Sequence, residues 1–188
     1  MTTDEQQQQT NYIFLDGEAE RQSLIEQIHT VREEVVSLAN QVPEADWYKA
    51  RYHGWSLAAM LSHLNVMDNL SVLSLRLALL GIKVPVATPF LDGFNALTVG
   101  IFQKRVVTTT LRSIPKNEKR ISDLILSLPL DRMTREIHDP NLQKYLTVEQ
   151  ALQSFFLHHW QEHLPRQEPS HRRCQSSRSC HQGQGLWC

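Results

Sequence analysis

Two imidazoles one helical turn apart carry the first chemical signal in this sequence. Within Tyr145–Leu164, Val148, Leu152 and Phe155 fall at helical spacing on one apolar stripe, and the stripe continues through His159 and His163. An imidazole facing a core needs a buried hydrogen-bond partner or a metal, because an unpaired polar ring in apolar surroundings is costly. The i, i+4 spacing sends both rings to the same side of a helix, where each can offer a neutral nitrogen to one ion. His159 and His163 are read as ligands on that ground. An earlier segment sets a third histidine in the same way: Met60, His63, Met67 and Leu70 share a stripe, so His63 faces the same kind of interior.

The neighbouring candidates read more plainly. His158 is turned about 100° from His159 on a helix and is expected beside the site or exposed. Glu162 could orient a ligand or act as a base, but it reads first as a surface carboxylate. The order His158-His159-Trp160-Gln161-Glu162-His163 is not the His-Glu-x-x-His of zincins. His29 lies beside the stripe of its own helix, His138 sits in a loop next to Asp139, and His53 stands at an expected bundle mouth. The sequence has no Gly-rich phosphate cradle, no Gly-x-Ser-x-Gly elbow and no cysteine before Cys174. Any catalysis must therefore lean on a metal.

The elements that would hold these rings are helical. Leu24, Ile28, Val31, Val35 and Leu38 form a sustained seam and predict helix one over Gly17–Asn40, closed by Pro43. Ser56 is placed to cap helix two, Leu57–Leu80, with Gly81 as its stop. Between them, Trp47, Tyr48, Tyr52 and Trp55 read as an aromatic cap on the bundle end. Gly81–Asp92, with Pro85 and Pro89, reads as a crossover loop. Helix three begins near Asp92, with Phe94, Leu97 and Ile101 on one face. It resumes through Leu111, Ile114, Ile121, Ile125 and Leu128 with a kink at Pro115. Pro129–Leu146 is a second connection with an Asp139-Pro140 turn. Thr147 and Gln150 form a capping box that opens helix four, which runs to Leu164. No strand is expected. The fold class is all-α, a four-helix bundle with a long crossover connection over 17–164.

Composition sets the outer limits. Hydrophobic residues at 41% and charged residues at 21% of 188 are ordinary for one globular domain with a sizeable core. The Gln-rich residues 1–16 read as a flexible lead-in. The net charge is −1, and because residues 165–188 hold four arginines against one glutamate (+3), residues 1–164 carry −4. An acidic body lacks the footprint of a nucleic-acid binder. No apolar run is long enough to span a bilayer, and the N-terminus has no secretory pattern. All three cysteines lie within 174–188, so the body owes nothing to disulfides, as expected of a cytoplasmic protein. The tail 165–188 is basic and aperiodic. We read it as an altered end of the reading frame ahead of a disordered tail or a second metal site.

Taken in order, Gly54-Trp55-Ser56, His63-Leu64 and the closing His159-x3-His163-Leu164 resemble the DinB superfamily, the YfiT-like metal-dependent hydrolases. The related N-terminal domain of mycothiol-dependent maleylpyruvate isomerase has a similar layout. Asp92-Gly93-Phe94-Asn95 and the later Arg105 also resemble members of that group. The resemblance implies a divalent metal, zinc or nickel, held by His63, His159 and His163. It also implies hydrolase or thiol S-transferase activity on a small molecule, with bacillithiol or mycothiol as a candidate co-substrate, and a homodimer. It assigns no catalytic residue beyond the ligands. The competing class is a metal- or small-molecule-binding stress protein without turnover.

Overall fold

The computed structural model describes residues 12–50, 54–82, 100–139 and 142–167, with the backbone alone for 165–167. Helix α1 spans Glu18–Gln41 and buries Leu24, Ile28, Val31 and Val35 of the expected seam, whereas Leu38 is half-buried and Ala39 takes the buried place beside it. Helix α2 spans Leu57–Leu79, and the Ser56 hydroxyl accepts from the Ala59 N–H at 3.1 Å as its N-cap. Helix α3 spans Val107–Ser127 and runs through Pro115. That proline is exposed, so water can serve the carbonyl it leaves without a partner. Helix α4 covers 148–167 as α-helix Val148–Gln153, a π-helical turn Ser154–His158, and α-helix His159–Gln167. Thr147 and Gln150 make the expected capping box.

The principal contacts place α1 against α3 and α4, and α2 against the same two helices. Consecutive helices α1 and α2 therefore lie across the bundle from each other rather than as a hairpin. Leu24, Ile28, Leu61, Leu64, Ile121, Ile125, Leu152 and Phe156 meet in one continuous core. The molecule is a mostly helical four-helix bundle, and no described helix is long and apolar enough to cross a membrane.

Three local expectations are corrected. A short hairpin is present where no strand was expected. Glu136–Asp139 (β1) pairs antiparallel with Lys144–Thr147 (β2), with Ile137 opposite Leu146. Each strand is four residues long and buries one apolar side chain in this pair, too little alternation to register as a pattern. The face expected for the first part of helix three is also revised, because residues 103–106 are not helical, Ile101 is exposed and Phe102 is buried in its place. Lastly, the far end of α2 turns Leu70 outward and buries Asp68, Val72 and Leu75 instead. Tyr52, His53, Phe94, Leu97, Pro140, most of the Gly81–Asp92 loop and residues 168–188 lie outside the described residues.

The last residues of the expected lead-in pack against α4. Residues 12–16 lie extended along α4, with Leu15 fully buried and its N–H donating to Glu149. The Gln153 side-chain amide acts as a strand edge, accepting from the Ile13 N–H and donating to the Ile13 carbonyl, both at 2.8 Å. Arg21 closes the strap by donating to the Leu15 and Leu128 carbonyls. Gln153→Ala is expected to lower stability by about 1 kcal/mol, since two backbone groups of Ile13 lose their partner at a partly buried place that water can reach. Urea unfolding of the variant beside wild type measures this, and an unchanged midpoint would show that the strap contributes nothing.

Candidate metal centre

His63 stands on the first turns of α2, where Ser56 fixes the helix start, and His159 and His163 follow the π-turn of α4. The structure brings the three together. His63 Nε2 is 3.3 Å from His159 Nε2, and His163 Nε2 is 3.2 Å from it. One ring nitrogen from each of the three lies within 4.8 Å of the others. His63 and His163 are buried, and His159 is partly so.

Hydrogen bonding alone does not account for this geometry. A neutral imidazole nitrogen carries either one proton or one lone pair, so His159 Nε2 can satisfy one of its two close neighbours at a time. The other contact is left with, at best, a share in a poorly directed three-centre hydrogen bond. A shared cation removes the conflict, because all three nitrogens then present lone pairs to it. Tetrahedral zinc with Zn–N of about 2.0–2.1 Å requires ligand nitrogens about 3.3 Å apart. Two of the three separations already match that spacing.

The protonation state agrees. Burial lowers the His63 pKa to about 4. His159 is held well below its ordinary value, first by burial and then by the neighbouring His163 and His63. Neutral imidazole, the form that binds metal, is therefore the resting form of both rings near pH 7. The residues present fit a divalent cation.

The surroundings orient the rings. Trp55, from the Gly54-Trp55-Ser56 block, meets the His63 ring edge-on with centroids 5.2 Å apart. Trp47 donates its indole N–H to the Val42 carbonyl, while Tyr48 is exposed, so the expected aromatic cap is divided between the site and the surface. His158 meets Tyr12 in a tilted ring contact with centroids 5.6 Å apart, outside the cluster. Glu162 and His29 are exposed, and His29 bonds Glu118. His138 is half-buried and packs on Tyr145 across the hairpin, rather than standing free in a loop.

Sequence reasoning missed the π-turn. It inserts one residue per turn and rotates everything after it relative to a plain α-helix. The stripe through Phe155 predicts His159 at the centre of the buried face. Instead Trp160 is fully buried and His159 is partly exposed, turned toward His63. Sequence reasoning also missed Asp68 and Arg32, which form a buried ion pair at 2.9 Å bonded to Trp160.

The fold and site thus define a four-helix bundle with a three-histidine cluster able to hold a divalent metal. No family model matches the sequence, and no curated protein matches it. Among solved structures, the fold matches YfiT from Bacillus subtilis, a probable metal-dependent hydrolase with an unusual four-helix bundle topology. The match has a TM-score of 0.66 at 16% identity and covers 84% of this chain and 89% of that one. The four-helix bundle expected from the sequence is thereby shown as a fold.

Proposed function

We propose that the protein is a divalent-metal-dependent enzyme acting on a small molecule at His63, His159 and His163. The observation that carries this reading is the convergence of three histidine ring nitrogens within 4.8 Å, two of the separations at metal-ligand spacing. Zinc and nickel both suit imidazole donors, and three protein ligands leave a coordination position open to substrate. A bound metal would act as a Lewis acid and lower the pKa of water or of a thiol. The chain's own part is to keep His63 and His159 unprotonated by burial and to brace His63 against Trp55.

Similarity in fold to a probable metal-dependent hydrolase favours water as the nucleophile. The sequence resemblance to thiol-dependent relatives supports a second reading, thiol transfer from bacillithiol or mycothiol. Elemental analysis of protein purified without a His-tag is expected to find about one equivalent of zinc or nickel per chain. Loaded and metal-free protein are then compared on ester and amide hydrolysis and on thiol conjugation. Multiple turnovers by the loaded form support an enzyme. Stoichiometric capture that stops after one equivalent would favour a sequestering protein, and absence of metal even after reconstitution would overturn the reading.

A further inference from the structure

Arg32, Asp68 and Trp160, from α1, α2 and α4, are 1%, 2% and 0% exposed. One Arg32 nitrogen, Nη2, donates to both Asp68 oxygens at 3.0 and 2.9 Å. The Trp160 indole N–H donates to Asp68 Oδ1 at 3.0 Å, and the Arg32 guanidinium lies over the Trp160 ring, 4.5 Å from its centroid. Arg32 Nε and Nη1 are buried with no hydrogen-bond partner among the described residues.

As a stabilising device this arrangement is poor. Two buried charges lose their hydration, and the guanidinium leaves donors unmet, so a well-packed apolar trio would hold the helices at least as firmly. Its value lies in direction. Asp68 follows His63 by five residues on α2, an axial step of about 7.5 Å, and Trp160 lies between His159 and His163 on α4. A hydrogen bond selects the rotation and the height of one helix against the other more narrowly than apolar packing alone does. The need is local, because the π-turn ends at His158 and leaves the following turn without a regular i to i+4 ladder behind it.

We infer that the Arg32–Asp68–Trp160 network positions the ligand-bearing turn of α4 against α2, so that Asp68 and Trp160 set the metal affinity of the three-histidine site without touching the metal. The inference rests on the proposed metal centre. Outer contacts that orient metal ligands are worth about 10- to 100-fold in metal affinity. Here the orienting contact acts on the helix that carries two ligands rather than on one ring.

Trp160→Phe removes the indole N–H together with part of the buried aromatic volume while keeping one ring in the core, and Asp68→Asn keeps an acceptor of the same shape. Zinc affinity is measured by chelator competition well below each variant's unfolding midpoint. Cobalt(II) absorption reports ligand geometry independently of any activity. Trp160→Phe is expected to weaken zinc binding about 10- to 100-fold and to alter the cobalt spectrum while helicity is retained. If Asp68→Asn fails to fold, Trp160→Phe alone decides. Wild-type affinity and spectrum in Trp160→Phe, even with a lower midpoint, would reduce the network to a structural role and overturn the inference while leaving the metal centre standing. Failure of wild-type protein to bind zinc or cobalt would remove both.

Discussion

Alanine at His159 is expected to weaken divalent-metal binding by more than about a hundredfold, beyond what loss of an outer contact costs. His159 is the hub of the cluster, with its Nε2 at 3.3 Å from His63 and 3.2 Å from His163. Its removal leaves two ligands on different helices. The fold should survive, since the side chain is only partly buried and alanine is the best helix former. His158→Ala is the matched control, one residue away but packed on Tyr12 outside the cluster. Metal content, competition titration and far-UV circular dichroism of the two variants decide the matter. Equal metal content in both would place the metal elsewhere or nowhere.

The second large effect is on acid stability. The metal-free protein should lose stability as pH falls from about 6.5 toward 4. The sign follows from proton counting. His63 has an ordinary pKa of 6.5 in the unfolded chain and about 4 in the fold, where burial disfavours the cation. Between those values the unfolded state binds more protons, so unfolding becomes easier as pH drops, and the stability present above pH 6.5 is progressively lost. A displacement from 6.5 to about 4 corresponds to roughly 3 kcal/mol for His63 alone, and His159 shifts in the same direction. Urea midpoints at pH 7 and 4.5 measure the loss. A flat profile would mean that the rings are hydrated or already paired. Zinc should steepen the dependence, since protons and metal compete for the same nitrogens.

Much of the scaffold was legible because its signals are local. Ser56 and the Thr147–Gln150 box are satisfied within a few residues, and the observed caps stand where the sequence puts them. The Leu24–Val35 seam repeats over enough turns to outweigh context. His63, His159 and His163 could be singled out because each interrupts an apolar stripe. The hairpin was hidden because four-residue strands are defined by their partner, not by their own pattern. Asp68 was hidden because a charged residue reads as surface until the partner that neutralises it is known, and Arg32 lies 36 positions away.

By itself, then, the sequence determined where α1, α2 and α4 start, most of the seam α1 buries, and which three imidazoles to single out, since these depend on spacing and on caps within one or two turns. Tertiary structure alone decided that the three nitrogens converge, that α1 lies across the bundle from α2, and that a π-turn brings Trp160 into the core beside Asp68. Those outcomes depend on distances between segments up to 96 positions apart, as for His63 and His159. Helical periodicity describes one element at a time and carries no information about the height or rotation at which two elements meet.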